Sequence, residues 1–166
     1  MSGEATVTMT DRTASPIKDL FQAATLEEVK ERMARLRPES GRLWGKMTAA
    51  QMLAHCAATM EMAVGIALPP RRFVGRLFGP IAKKAILTDG KPFRRNSPSD
   101  KSLIIQDDRD FDVERQRLCG LLERFQASGP EGCTRHPHSF FGRLTPAEWA
   151  SFMYVHLDHH FQQFGV

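Results

Sequence analysis

No stretch of the chain approaches the roughly eighteen consecutive apolar residues that a helix needs to cross a lipid core, so no membrane span is expected. No charged-then-apolar opening of signal-peptide type is seen either. Cysteine is scarce. Cys56, Cys119 and Cys133 are odd in number and widely spaced, which argues against a disulfide framework and fits a reduced, cytoplasmic protein. The chain also lacks a glycine-rich phosphate loop, an internal repeat, and a serine with a credible histidine and carboxylate partner. Phosphate-loop nucleotide chemistry and triad-type serine hydrolysis drop out on those grounds.

What is present is a chain of 166 residues, 42% of them hydrophobic, enough to bury one sizeable core. Its net charge of +4 is modest but uneven. Residues 71–101 hold nine Lys and Arg against two Asp, a local +7, which leaves the remainder slightly acidic. Such a stretch can lie across the mouth of a helical bundle, bind an acidic ligand or contact a polyanion, although most are simply solvated faces. Only Phe73, Phe78 and Phe93 interleave with its charges, so nucleic acid is a poor candidate partner.

Residues 1–16 are polar and aperiodic and are expected to form a disordered tail, leaving 17–166 as a single helical domain. Thr25 and Glu28 read as a capping box for a first helix, whose Leu26, Val29, Met33 and Leu36 make a core stripe ended by Pro38 and Gly41. Thr48 and Gln51 cap a second, which runs to about Gly65 with Glu61 as its only charge and is therefore buried on most sides. A third spans about 110 to 127, with Phe111, Leu118, Leu121, Leu122 and Phe125 facing inward. The fourth opens with Thr145 as N-cap, Pro146 at the first helical position and Glu148 at the third. Between the second and third lies a long connection. In it Phe73, Leu77 and Ile81 alternate with Arg71, Arg72, Arg76, Lys83 and Lys84 as a basic amphipathic helix, bent or interrupted at Gly79-Pro80.

Histidine is where the chemistry concentrates. At about 100° per residue, Trp149, Met153, His156 and His160 fall within about 60° of arc on the last helix, with Phe152 and Gln163 at one edge. Imidazoles one turn apart have Cβ atoms only ~6 Å apart, and both rings can reach one ion at ~2.0–2.1 Å. Burying both neutral without partners would cost on the order of a few kcal/mol, so the pair asks for a shared partner and a third ligand from elsewhere. His159 points about 80° away from the pair. On the second helix, His55 lies about 160° from the Leu53, Ala57, Met60 and Val64 cluster, and Cys56 points about 100° elsewhere again. His55 sits ~10 Å from the N-terminal end of its helix, and the midpoint of His156 and His160 sits ~10 Å from the C-terminal end of theirs. Antiparallel packing brings the three level; parallel packing leaves an offset of ~9 Å. Cys133, His136 and His138 have metal-like side chains without a matching second half, and read more readily as a shaped loop than as a separate zinc site.

The run Trp44-Gly-Lys-Met47-Thr-Ala-Ala-Gln51-Met-Leu-Ala-His55, followed by Phe140-Phe-Gly-Arg-Leu-Thr-Pro-Ala-Glu148-Trp149 and His156-Leu-Asp-His159-His160-Phe-Gln-Gln163, resembles the DinB-like (YfiT-like) superfamily, nearest to a subgroup of unknown function. The resemblance implies an all-α four-helix bundle with a long crossover between helices 2 and 3. It also implies a dimer, and a divalent metal held by one histidine of helix 2 and an i, i+4 pair of helix 4, positions that fall on His55, His156 and His160. Members of that superfamily include bacillithiol S-transferases and a mycothiol-dependent maleylpyruvate isomerase. The implied chemistry is therefore a metal that activates a low-molecular-weight thiol or a water against a small-molecule substrate. Ligand chemistry permits zinc, nickel, iron, cobalt or manganese, with zinc or nickel favoured. Gln163, one turn beyond His160, is the catalytic candidate, as a hydrogen-bonding support of a ligand or a contact to substrate. His159 stays open as a competing ligand in place of His156 or His160. The expected function is a metal-dependent S-transferase or hydrolase-like enzyme. The alternatives are a non-catalytic, metal-stapled helical scaffold and, behind it, a polyanion-binding module acting through residues 71–101.

Overall fold

Where apolar residues recur at helical spacing, the computed structural model places five α-helices: α1 (Ala23–Ala34), α2 (Ala49–Ala63), α3 (Phe73–Leu87), α4 (Phe111–Ser128) and α5 (Pro146–Gln163). The structure describes residues 17–97, 100 and 103–166, so the tail expected over 1–16 lies outside the described residues. Among the described residues there is no strand, only an isolated antiparallel bridge between His138 and Gly142. No helix among them is long and apolar enough to cross a membrane.

Two of the three expected capping boxes form. The Thr48 hydroxyl accepts from the Gln51 amide at 3.2 Å while Gln51 Oε1 accepts from the Thr48 amide at 3.0 Å. Thr145 and Glu148 repeat the arrangement at 3.2 and 2.8 Å. The box at Thr25 and Glu28 does not form, because α1 begins three residues earlier, with Gln22 in place of Thr25 as an N-cap that makes no side-chain bond. Packing sets that start instead: Leu20 is buried and Phe21 stacks on Phe125 at 4.8 Å, while Glu28 turns outward to Lys18 and Tyr154. The α4 start carries a cap that sequence reasoning passed over, Asp110 Oδ1 accepting from the Val113 amide at 2.9 Å.

Cross-helix bonds give the directions. Leu43, ahead of α2, donates to the Gln163 carbonyl at the end of α5, and Thr134, ahead of α5, donates to the Ala63 carbonyl at the end of α2, so these two helices run antiparallel. Gln51 reaches the Asp107 carbonyl at 3.2 Å and Glu61 pairs with Arg117 at 2.7 Å, so α2 and α4 run parallel. Glu28 with Tyr154 and Arg32 with Asp158 align α1 parallel to α5. The shared core includes Leu36, Met60, Leu118, Leu122, Met153 and Leu157, all fully buried. Each such side chain contributes about 1.5–3 kcal/mol relative to an exposed one, which favours placing the nearly uncharged α2 inside.

The basic amphipathic segment is a fifth helix, α3, and it is not interrupted at Gly79-Pro80. Glycine removes the Cβ that would collide with the ring of the proline after it, so the helix continues through Pro80. Gly75 and Gly79 are also the face by which α3 docks. A Cβ built on either would lie 2.6 Å or 2.2 Å from the Phe140 carbonyl oxygen, so only glycine admits this close approach.

Candidate metal centre

Antiparallel packing brings His55 of α2 level with His156 and His160 of α5. Their ring centroids lie 4.7–5.0 Å apart, and one ligand nitrogen from each falls within 4.8 Å of the others. All three residues are buried, at 3%, 9% and 8% exposure.

Hydrogen bonds decide where the lone pairs point. His55 Nδ1 lies 2.9 Å from the Leu103 carbonyl, which can only accept, so the proton sits on Nδ1 and the lone pair on Nε2. Gln163 Nε2 donates to the Trp44 carbonyl at 2.7 Å, which orients its amide and leaves Oε1 to accept from His160 Nδ1 at 2.9 Å. The His160 lone pair is then on Nε2 as well. His156 Nε2 stands 3.0 Å from His55 Nε2, and its buried Nδ1 has no partner. His156 can donate its Nε2 proton to His55, leaving an unpaired acceptor at Nδ1, or direct a third lone pair into the same space. A tetrahedral ion at ~2.0–2.1 Å from each ligand sets nitrogens about 3.3 Å apart, near the 3.0 Å between the His55 and His156 Nε2 atoms, and neutralises the lone-pair repulsion. These residues fit such an ion.

Burial keeps the rings neutral. Desolvation pushes His156 well below the usual imidazole range, with the neighbouring His160 and His55 adding to the effect. Burial takes His160 down to about 3 against the opposing Gln163 hydrogen bond, and lowers His55 against the Leu103 carbonyl. Neutral imidazole is the form that ligates a metal.

Around this cluster stand residues that sequence reasoning did not assign. Gly45, at φ +81°, follows Trp44; a Cβ there would lie 2.3 Å from Gln163 Nε2, so a left-handed glycine is what lets the Trp44 carbonyl meet that amide. The residues between α3 and α4 include Phe93, whose ring packs on Phe152, His156 and His159 at 5.7–6.3 Å, and Leu103, whose carbonyl meets His55. Arg95 lies 4.2 Å over the Trp44 ring. The Trp44-Gly45 pair preceding a capped helix was a usable signal. A backbone carbonyl forty-eight residues from its partner was not.

His159 does not join the three ligand nitrogens. It is half-buried between Trp44 and Phe93, each 5.7 Å away. Gln163 is buried behind His160 with both ends of its amide engaged. Cys56 is buried with its thiol against Met52 Sδ at 3.7 Å, and desolvation holds it protonated. Cys133, His136 and His138 do not converge: His136 bonds to the Pro69 carbonyl, and His138 Nδ1 accepts from the Phe140 and Phe141 amides. A hollow of about 470 Å³ bordered by Lys83, Arg143 and Glu148 opens at the start of α5, two turns or more from His156.

A family model described as "Protein of unknown function (DUF1569)" matches residues 17–165. The chain belongs to the DUF1569 family. The match takes in all five helices and the three clustered histidines of this DUF1569 chain. No curated protein and no solved structure matches it.

Proposed function

We propose that this DUF1569 protein is a divalent-metal-dependent enzyme of the DinB-like kind, with His55, His156 and His160 as the ligands and zinc or nickel as the favoured ion. The observation that carries the reading is the convergence of three buried, neutral imidazoles, two of them with Nε2 lone pairs fixed by Leu103 and Gln163. Three histidines leave at least one coordination position for something else, the pattern of catalytic rather than closed structural sites. A divalent ion there would supply Lewis acidity, lowering the pKa of a water or a low-molecular-weight thiol. Gln163 holds the His160 ring and its tautomer, which makes it a positioning residue. Phe93 and Trp44 limit water around the rings, and Arg95 offers positive charge beside Trp44 to an anionic group of a small-molecule substrate. The opposed directions of α2 and α5, the parallel pair α2 and α4, and the long span between them support a four-helix bundle of α1, α2, α4 and α5 with α3 in the crossover. Three free thiols suit a cytoplasmic setting.

The second reading, a scaffold stapled by its ion, is favoured by the depth of the cluster. Elemental analysis of untagged protein tests what the two share: wild type and His159→Ala are expected to retain stoichiometric metal, and His55→Ala, His156→Ala and His160→Ala to lose it. Equal retention in all four variants overturns the ligand assignment. Turnover of an electrophile with a low-molecular-weight thiol, abolished in His55→Ala, then favours the enzyme; a lower melting temperature alone favours the scaffold.

A further inference from the structure

α3 buries Gly75, Gly79 and Ile86 and turns the opposite side to solvent. On that side Phe73, Val74, Leu77, Phe78 and Ile81 are exposed at 53–80%, although they are most of the large apolar residues of the helix, with only Ile86 and Leu87 turned to the core. At about 100° per residue they cover an arc of about 140°, centred almost opposite the glycine face. The rest of α3 carries Arg76, Lys83 and Lys84 and no carboxylate; Lys83 pairs with Glu148 and Lys84 with Asp89, whereas Arg76, and Lys91 and Arg94 after the helix, make no ion pair among the described residues. An apolar stripe of this size left in water at the surface of a helical domain marks a contact. We propose that α3 is a peripheral membrane-docking helix, lying in the interface of an anionic lipid surface with the phenylalanine-rich stripe among the acyl chains and the Arg and Lys heads on lipid phosphates.

Charge and area select this occupant over a second copy of the chain. Two α3 helices face to face would add a second unpaired Arg76 and no carboxylate from either helix, whereas anionic headgroups neutralise Arg76 together with Lys91 and Arg94. A helix of fifteen residues is ~22 Å long and ~10 Å wide, so its footprint is a fraction of the ~800 Å² that each partner of a stable complex usually buries. An interfacial helix has the composition seen here: a strong apolar face flanked by basic residues, on a helix of fifteen residues that is not long enough to cross a membrane.

The test is co-sedimentation of the full chain with phosphatidylcholine vesicles, with and without phosphatidylglycerol, and sedimentation velocity without lipid. Binding is expected only with phosphatidylglycerol and is expected to fall with added salt. Arg76→Glu should lower partitioning at least about fivefold, the effect of about 1 kcal/mol per basic residue. Leu77→Glu, at a position exposed enough to leave folding intact, should lower it further while circular dichroism stays unchanged. No sedimentation with anionic vesicles at low salt overturns the proposal. So does equal binding to pure phosphatidylcholine, or a dimer that Leu77→Glu splits, which would assign the face to a second copy.

Discussion

His160 has two ring nitrogens with separate duties. Nδ1 is held by Gln163, and only because the other end of that amide is tied to the Trp44 carbonyl does its oxygen face the ring. Replacing Gln163 by Leu removes the acceptor without adding bulk or charge. A supporting bond of this kind typically accounts for a ten- to hundredfold change in metal affinity, so Gln163→Leu is expected to weaken zinc binding by roughly that factor in competition with a chromophoric chelator. Gln163→Glu, which can still accept from Nδ1 but leaves the Trp44 carbonyl without its donor, should recover part of it. A side chain serving packing alone would give the reverse order, since Leu is the better space-filler.

Among the elements, α3 depends on absent side chains. Gly79→Ala places a Cβ 2.2 Å from the Phe140 oxygen, a backbone atom that cannot step aside, and is expected to lose about 1–3 kcal/mol in urea denaturation. Gly120, exposed in the middle of α4 with nothing within 4 Å of a built Cβ, is the matched control. Gly120→Ala should gain about 0.5–1 kcal/mol from helix propensity. If both substitutions stabilise, the close approach of α3 to the 138–142 turn is not held in solution. Elements with strong local signals matched expectation closely: the caps at Thr48 and Thr145 decide where α2 and α5 start. The α1 start did not follow its apparent box, because the burial of Leu20 and the stacking of Phe21 on Phe125 outweigh a capping bond of about 1 kcal/mol.

The whole molecule stores its pH response in buried neutral imidazoles. His160 is held at about 3 and His138, also buried, at about 4, with His55 and His156 lowered as well, against an unfolded value of 6.5. The unfolded chain therefore takes up protons that the folded one cannot. The stability these groups confer on metal-free protein is fully present above pH 6.5 and is lost as pH falls toward 3, by up to about 1.4 kcal/mol per pH unit for each group. Urea midpoints of chelator-treated protein are expected to fall steeply from pH 6.5 to 4.5, with a shallower slope in His138→Gln. A flat profile would mean that the histidines are hydrated rather than enclosed.

Helix positions, two caps, the inward stripes and the candidate ligands were legible in the residues themselves, because period, capping chemistry and side-chain type are local properties. His156 and His160 are neighbours on any helix that contains them, so their pairing needed no fold. That His55 meets them rests on the antiparallel course of α2 and α5, and the supports at Leu103, Phe93 and Gly45 rest on where the residues after α3 and the turn before α2 settle against the histidines. Those are main-chain and long-range contacts. They are decided by how the helices bury their stripes together, which no single window of sequence contains.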